Sequence, residues 1–467
     1  MSSNSGGADR RDVLKAAGAA GVAGLAGLAG CSGGGGGGDG DGGGGGGDGD
    51  GGGGDGGSDF PELGNYPIEG DTAVFGFNVP QSGPYASEGE DELRAYELAV
   101  DHLNNGGGWV DSQFDDLSGD GVLDYQIDSV SGDTATDADA ARQSASRMIQ
   151  RDEVIMVTGG SSSAVAIAVQ ELCQRERTMF MACLTHSNDT TGENCVRYGF
   201  REVFNAYMTG QALAPVLRDE YGEDLQFYQL YADYSWGQTV EESMNQFLTE
   251  AGWEQIDSVA TPLGTSDYSS YLSEASNSGA DVLLLDHYGL DGATSVSQAV
   301  DAGLDEDMEL VVPLYNRPMA EAAGAAIDGV FGTVAWDSQI DNTPSQEFLQ
   351  AFQDEYDRIP SGPAQLAYAQ TLQYAAAVER AGTFYPPEVI RELEGYEYDN
   401  IGMGAETMRA CDHQAQRDVP VVRGLPESEQ QTGQYYELVN LTGRDDLGYG
   451  CDAGPAAACS LGEYGDE

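Results

Sequence analysis

From residue 71 to residue 312 the chain alternates short apolar runs with longer amphipathic runs. The short runs are typical of buried strands, and apolar residues three or four positions apart in the longer runs predict helices. The predicted strands cover residues 73–79, 125–130, 154–157, 225–231, 256–260, 282–285 and 310–312. The predicted helices cover residues 90–103, 137–149, 164–175, 239–251, 268–276 and 293–302. This alternation predicts an α/β fold with parallel sheets. Roughly 400 residues exceed what one sheet core usually holds, so we expect two lobes.

The first thirty residues have the composition of a targeting segment. Arg10 and Arg11 precede fifteen Ala, Gly, Leu and Val residues at 16–30. That run is too short for a membrane-spanning helix, which needs about 20 residues, and it predicts a signal peptide over 1–30. The twin arginine resembles a Tat signal, and residues 28–31 (Leu-Ala-Gly-Cys) resemble a lipobox in which Cys31 is lipidated. The alternative is a buried Ala/Gly helix.

A flexible tether is predicted between this segment and the folded body. Residues 33–57 consist of 20 glycines and 5 aspartates. Such a sequence has no side chains from which to build a core, so residues 31–58 are expected to be disordered.

The charge balance excludes two classes of partner. The chain has 20 Lys+Arg against 79 Asp+Glu, a formal net charge of −59, and Lys15 is its only lysine. Nucleic acid and anionic membrane surfaces both require a basic face, so neither is expected as a partner. The acid-rich, lysine-poor composition resembles that of proteins from extreme halophiles, although an acidic protein of ordinary habitat is the alternative.

Seven cysteines agree with an oxidising compartment. If Cys31 carries lipid, six remain, and they allow 15 pairings. We favour Cys183–Cys195 and Cys451–Cys459, because each pair brackets a short loop. The spacings match no zinc pattern, and no other metal or cofactor is expected.

Several motifs occur in an order that identifies a family. Residues 75–86 form a strand and a Ser-Gly-Pro loop, and a helix ending at residues 98–104 leads to a glycine stop at 106–108. The later motifs are residues 158–163, 183–195, 197–201, 234–237, 262–268 and 412–414. In this order they resemble the type I periplasmic binding proteins of ABC importers, in the group that binds leucine, isoleucine and valine, amides or urea. Within that resemblance, residues 183–195 look like the family's disulfide-closed loop.

The resemblance implies two doubly wound, Rossmann-like lobes joined by three crossovers. We place the crossovers near Val203, Val334 and Ala405. Lobe one then comprises residues 71–203 plus 335–405, and lobe two comprises 204–334 plus 406–440. The tail, residues 441–467, is expected to be peripheral.

A cleft between two such lobes is the expected binding site, because loops from strand ends converge there. Ser161, Ser162 and Ser163 follow a strand and open a helix, where hydroxyl and backbone N–H groups can hold a carboxylate or amide oxygen. Simple helix capping is the alternative. The other expected ligand-binding residues of lobe one are Ser82, Tyr85, Leu184, Thr185 and His186. The expected aromatic walls from lobe two are Tyr234, Trp236, Tyr288 and Tyr315.

One departure from the family bears on the ligand. Amino-acid-binding members hold the ammonium group with an acidic residue on lobe two, whereas residues 313–318 offer Asn316 and Arg317. The candidate substitutes are Asp233, Asp286 and Asp291. An amide, a urea-like compound or a carboxylate therefore gains weight over a zwitterionic amino acid.

The resemblance implies a monomeric solute-binding lipoprotein on the extracellular face of the cytoplasmic membrane. It would capture a small polar solute and deliver it to ABC permease subunits, with the lipid anchor as its only membrane contact. A ligand-sensing subunit that signals to a membrane receptor is the main alternative. An enzyme is less favoured, because the sequence has no HxxxH pair and no Gly-x-Ser-x-Gly elbow in the folded body, the one such match, residues 30–34, lying at the start of the Gly-rich tether. Residues 116–124 resemble the front of a calcium loop, but Ile127 stands where its last acid belongs.

Overall fold

Fifteen strands and twelve helices form within residues 60–466, the part of the chain that the computed structural model describes. The predicted signal peptide, Cys31 and the tether lie outside these residues. The strands are β1 Thr72–Val79, β2 Gln126–Asp133, β3 Met156–Gly159, β4 Met179–Ala182, β5 Gly199–Arg201, β6 Gln226–Ala232, β7 Glu254–Thr261, β8 Val282–Asp286, β9 Glu309–Leu314, β10 Phe331–Thr333, β11 Glu397–Tyr398, β12 Glu406–Met408, β13 Ala415–Gln416, β14 Val419–Gly424 and β15 Tyr436–Thr442. The helices are α1 Ala86–Asn105, α2 Gly108–Ser112, α3 Ala138–Arg151, α4 Ser163–Glu176, α5 Ala206–Tyr221, α6 Ser235–Glu250, α7 Ser269–Ser276, α8 Gly289–Asp301, α9 Arg317–Ala323, α10 Thr343–Tyr356, α11 Gly362–Ala381 and α12 Pro386–Leu393.

The first sheet has the order β2-β1-β3-β4-β5, and every neighbouring pair of its strands is parallel. Helices α1 and α11 pack on one side of it, and α3 and α4 pack on the other. Because both faces are covered, β3 and β4 are buried along their whole length, which is why their sequences are continuous apolar runs. We call this sheet and its helices lobe one.

The second sheet has the order β15-β14-β10-β9-β8-β6-β7. Strands β10, β9, β8, β6 and β7 are parallel, and β14 and β15 extend them as antiparallel strands. We call this sheet, with α5–α9, lobe two. A small antiparallel sheet, β11-β12-β13, lies beside lobe one, where Arg201 of β5 bridges to Gln414. The predicted α/β class with parallel sheets is confirmed.

The chain passes between the two large sheets after β5, after β10 and after β13. Val203 and Val334 lie in the first two of these gaps. Ala405 lies just before β12, so the third passage, between Gln416 and Val419, comes later than we expected. The reason is that β12 and β13 pair with β11 beside β5 before the chain joins the second sheet.

The tail beyond residue 441 is not peripheral. After β15 it contacts residues near the first and third passages between the sheets. The Tyr449 hydroxyl accepts a hydrogen bond from Asn205 (2.7 Å), and the Tyr449 carbonyl accepts one from Arg409 (2.6 Å). The tail then runs along lobe one, where the carbonyl of Tyr464 accepts a hydrogen bond from the Tyr198 hydroxyl (2.6 Å). The tail therefore forms a fourth connection from lobe two to lobe one.

Candidate functional site

The carboxyl ends of the parallel strands place polar and aromatic residues at one edge of each sheet. In lobe one, β1 leads to Tyr85, β3 to the serines at 161–163, and β4 to residues 184–186. In lobe two, β6 leads to Tyr234, and β8 to Tyr288. The two edges face each other, so all of these loops meet in a cleft between the lobes.

The three serines differ in what they contact. Ser161 donates a hydrogen bond to the carboxylate of Glu92. Ser163 Oγ accepts hydrogen bonds from the Thr185 hydroxyl (3.0 Å) and the Ser187 N–H (3.2 Å). Ser162 precedes α4, and its side chain makes no capping hydrogen bond. Two of the three hydroxyls are thus engaged within the protein.

The loop after β4 is buried and strained. Leu184 has a φ of 45°, in the left-handed region that a non-glycine residue rarely adopts. The Thr185 carbonyl accepts a hydrogen bond from the buried guanidinium of Arg201 (2.9 Å). The ring of His186 packs edge-on against Phe204, with centroids 4.7 Å apart. Burial, assisted by the nearby Arg201 and Arg417, lowers the pKa of His186 to about 3, so this imidazole is neutral at physiological pH.

Three aromatic side chains of lobe two form a cluster. The rings of Tyr234 and Trp236 are 6.1 Å apart, and those of Trp236 and Tyr288 are 6.3 Å apart. Tyr85 of lobe one joins this cluster, since its ring lies 5.4 Å from that of Tyr288 and its hydroxyl lies 3.0 Å from that of Tyr234. The lobes are therefore in direct contact across the cleft.

Close approach of the lobes requires a glycine at the start of α8. A Cβ on Gly289 would lie 2.8 Å from the ring of Tyr85, and its φ of 59° also favours glycine. Any larger residue at this position would push the lobes apart.

Two predicted site residues lie apart from this cluster. Ser82 is exposed, and its hydroxyl donates to Asp133 at the end of β2 (2.6 Å). Tyr315 lies in the core of lobe two, where its hydroxyl donates to the carbonyl of Val330 (3.3 Å) and its ring lies 6.1 Å from that of Tyr436. Tyr315 follows a strand, as the others do, but its side chain turns towards the sheet rather than the cleft.

Acidic residues of α1 are the part of the site that sequence reasoning missed. Glu88, Asp91 and Glu92 are fully buried, and Ser161 of lobe one donates a hydrogen bond to Glu92. Glu88 accepts a hydrogen bond from Asn316 (2.7 Å), and Asp91 accepts one from Arg317 (2.7 Å). The sequence did indicate that Glu88 and Glu92 are buried, because positions 88, 92, 95, 96 and 99 form one helical stripe whose other members are apolar or aromatic.

Burial also sets the protonation of these acids. It raises the pKa of Glu88, although the hydrogen bond from Asn316 opposes the shift. It raises the pKa of Glu92 to about 8, against the effect of the Ser161 hydrogen bond. Glu92 is thus a carboxylic acid that titrates near neutral pH.

The acids suggested as substitutes on lobe two have other surroundings. Asp233 is exposed and accepts a hydrogen bond from Gln238 (3.1 Å). Asp291 accepts a hydrogen bond from the Gly264 N–H (2.7 Å), and burial raises its pKa. Asp286 is fully buried at the end of β8, and burial raises its pKa well above the usual value.

Comparison with known proteins identifies the family. The family model for periplasmic binding proteins matches residues 72–429. The chain belongs to the periplasmic binding protein family. A curated relative, the Leu/Ile/Val-binding protein homolog 7 of Brucella abortus (strain 2308), is 28% identical over 320 residues, which cover 64% of this chain and 74% of that protein.

Solved structures share the fold of this periplasmic binding protein. An amino acid ABC transporter substrate-binding protein from Pseudomonas fluorescens Pf-5 has a TM-score of 0.74 at 21% identity, covering 84% of this chain and 100% of that one. A solute-binding protein from Rhodopseudomonas palustris BisB5, in complex with 3,4-dihydroxybenzoic acid, has a TM-score of 0.69 at 18% identity, covering 80% of this chain and 97% of that one. The fold is that of a type I periplasmic binding protein.

The disulfides of this periplasmic binding protein differ from the predicted pairs. Cys195 bonds to Cys459, and Cys411 bonds to Cys451, whereas Cys173 and Cys183 are free and buried. The predicted pairs were wrong for two reasons. Cys183 faces the interior of lobe one, with its Sγ 3.9 Å from the carbonyl of Pro363. Cys451 and Cys459 lie on either side of a short helical turn, so they reach different parts of the molecule.

Residues 60–466 lack two features that would indicate a metal site or a membrane span. These residues contain no cluster of three or more His, Cys, Asp or Glu side chains arranged to hold a metal ion. Within the same range, no helix combines the length and the apolar character that a membrane span requires. In residues 116–124, which resemble only the front of a calcium loop, Asp116 forms an ion pair with Arg380 (3.2 Å).

Proposed function

We propose that this periplasmic binding protein is the solute-binding component of an ABC importer. It captures a small polar solute, such as a branched-chain amino acid, an amide or a urea-like compound, and delivers it to a membrane permease. The relatives' names support this proposal, since they are a Leu/Ile/Val-binding protein homolog and an amino acid ABC transporter substrate-binding protein. The chemistry required is binding and release alone.

One observation carries the proposal most directly. The polar loops of lobe one face an aromatic cluster of lobe two, and the hydroxyls of Tyr85 and Tyr234 meet at 3.0 Å across the cleft. A small solute enclosed there would contact serine, threonine and backbone groups on one side and the faces of Trp236 and Tyr288 on the other. Such a mixture of few polar groups and apolar walls is typical of small-molecule sites.

Closure would couple binding to delivery. The lobes are held together by direct pairs, among them Asn316 with Glu88 and Arg317 with Asp91. A solute favours this closed arrangement only through contacts that it makes there and not in the open form. The permease would then recognise the surface that both lobes present once they have closed.

Export and anchoring are part of the same proposal. Periplasmic binding proteins work outside the cytoplasm, and the twin arginine and the residues before Cys31 suggest Tat export followed by lipidation. The Gly/Asp tether would then hold the folded body at the outer face of the membrane. The two disulfides agree with an oxidising compartment.

Thermal unfolding in multimolar salt tests the proposal. The purified protein, freed of carried-over ligand, is heated with branched-chain amino acids, short amides, urea and small carboxylates. A true ligand at 100 times its Kd should add about 2.7 kcal/mol to the free energy of unfolding, which raises Tm by a few degrees. Stabilisation by one chemical class is the expected result.

A matched pair of variants shows whether the cleft is the site. Tyr288→Ala and Tyr315→Ala each remove a buried tyrosine that follows a strand of lobe two, and both lower the basal Tm. We expect the ligand-induced shift to disappear in Tyr288→Ala and to persist in Tyr315→Ala, because Tyr315 lies in the lobe core. Loss of the shift in both variants, or in neither, would contradict this location.

A further inference from the structure

Three buried carboxylates of α1 face the cleft, and they differ in how their charge is balanced. Asp91 is close to three guanidinium groups, those of Arg94 (3.2 Å), Arg317 (2.7 Å) and Arg358 (3.1 Å). The negative charge of Asp91 is therefore fully compensated, and its ion pair with Arg317 holds the lobes together.

Glu88 and Glu92 have no such compensation. Among residues 60–466, the partners of Glu88 are the Asn316 amide (2.7 Å) and the Ser87 hydroxyl (2.9 Å), both neutral. Glu92 accepts a hydrogen bond from the Ser161 hydroxyl through one carboxylate oxygen. Its other oxygen, Oε2, is buried without a hydrogen-bond partner.

Glu88 lies at the boundary with lobe two, and Glu92 contacts the loop after β3 that opens towards the cleft, with Cys183 of lobe one beside it. Glu88 contacts lobe two directly through Asn316, and Ser161 belongs to the loop that follows β3. The Asn316 amide that donates to Glu88 also donates to the Tyr288 hydroxyl, so it connects Glu88 to the aromatic cluster of lobe two. Glu88 and Glu92 lie one helical turn apart on the same face of α1.

These two buried acids favour a solute whose polar end has N–H groups or a positive charge. Burying a carboxylate without a partner is costly, and a buried acceptor gains most from a donor that carries positive charge. Burial raises the pKa of both acids, that of Glu92 to about 8, so a cationic solute would favour their ionised forms, whereas a solute whose only polar end is a carboxylate would oppose them. A solute with N–H groups would satisfy the free oxygen of Glu92 and balance its charge.

We propose that the nitrogen-bearing end of the solute, an ammonium, amidine or amide group, binds to Glu88 and Glu92 on lobe one. This inference rests on the proposed function and gives the solute a direction within the cleft. Acids on the first helix of lobe one then hold the end of the solute that Asn316 and Arg317 of lobe two would not neutralise. A free carboxylate alone is not a ligand of this protein.

Three sets of compounds that differ only in their polar end test the inference. They are acetamidine, acetamide and acetate; benzamidine, benzamide and benzoate; and 4-methylpentanamidine, 4-methylpentanamide and 4-methylpentanoate. Each is added to the full protein in multimolar salt, and Kd is obtained from the shift of Tm. In every set that stabilises the protein, we expect the cationic compound to bind best and the carboxylate not to bind.

Variants of one helix provide the controls. Glu88→Gln and Glu92→Gln preserve side-chain size and remove charge, and each should weaken the cationic compound by about tenfold or more while changing the neutral amide much less. Glu90→Gln alters an exposed acid of the same helix that pairs with Arg94, and binding should be unchanged. Tm without ligand reports whether each variant is folded.

The outcomes separate the two proposals. Preferential stabilisation by a carboxylate, or unchanged affinity for the cations in both Glu→Gln variants, would overturn the inference and leave the binding function intact. If neither these compounds nor the branched-chain amino acids and urea stabilise the protein, the proposed function fails and the inference fails with it.

Discussion

Burial makes Glu92 a residue through which the protein's stability depends on pH. The unfolded chain releases this proton near the ordinary glutamate value of 4.5, whereas the folded chain holds it until about pH 8. Between these values the folded state binds more protons than the unfolded state. The free energy of unfolding contributed by Glu92 is therefore fully present below pH 4.5 and is lost as the pH rises towards 8.

Glu92→Gln should remove this dependence. We expect the variant to be more stable than the wild type at pH 8 and the difference to shrink as the pH falls towards 4.5. Chemical denaturation at several pH values and constant salt measures both curves. The exposed Glu90→Gln serves as the control, and parallel curves for wild type and Glu92→Gln would contradict the assignment. The titratable neighbours Glu88, Asp91 and Cys183 are common to all three proteins.

Individual site residues could be predicted only where their position directly after a strand determined that they lie at the cleft. Polar residues directly after strands, such as Ser161, Thr185 and Tyr288, were expected in the cleft because the ends of parallel strands share one edge. Glu88 and Glu92 were missed because the chain has 79 acidic residues, so a pair of acids carries no information by itself. Packing of α1 between lobe two and α11, which the sequence does not display, decides which acids are buried.

At the scale of the elements, one arginine connects all three passages between the lobes. Arg417 lies in the third passage and is fully buried. Its guanidinium donates hydrogen bonds to the carbonyls of Glu202 in the first passage (3.5 Å) and Ala335 in the second (3.2 Å). Its Nε lies 3.8 Å from the buried carboxylate of Glu406. Arg417 therefore connects the three passages through its guanidinium.

Arg417→Met should destabilise the protein by about 3–5 kcal/mol, because two buried acids, Glu202 and Glu406, would lose their cation. Chemical denaturation measures the loss. Arg423→Met is the matched control, since Arg423 is 38% exposed and its ion pairs are worth less than about 1 kcal/mol. Equal losses in the two variants would refute the role of Arg417, and adding Glu406→Gln to Arg417→Met should restore part of the stability.

Helices and strands in which apolar residues recur at a regular spacing were predictable, and elements without such a spacing were not. Seven of the nine strands up to β9 and the amphipathic helices near them follow from the alternation of apolar runs, whereas β4, β5 and α5 were not predicted. Helix α11 has buried residues on every face, because it packs between α1, α12 and the sheet, and so it shows no polar stripe. The strands β11, β12 and β13 are two or three residues long, too short for any periodicity.

At the scale of the whole molecule, the two disulfides fasten the tail to distant parts of the chain. Cys195–Cys459 spans 264 residues, and Cys411–Cys451 spans 40. The sequence favoured pairs that were close along the chain, since nothing in it shows that the tail crosses back to lobe one. Loop-closure entropy makes the longer bridge the more stabilising of the two in principle.

Removing either bridge should lower stability by about 2–4 kcal/mol, and the Cys195→Ser/Cys459→Ser variant should lose at least as much as Cys411→Ser/Cys451→Ser. Chemical denaturation with and without a phosphine reductant gives the values. Cys173→Ala keeps both bridges, so it should respond to the reductant as the wild type does. A wild type that is indifferent to the reductant would contradict the prediction.

The bridge between Cys195 and Cys459 closes a ring that contains every strand of lobe two. A protease that cuts one exposed loop of this ring would open it without dividing the protein into two molecules. The nicked chain would run as a single species on a gel until it was reduced. A binding protein that works outside the cytoplasm would in this way remain one molecule after its first cleavage by a protease.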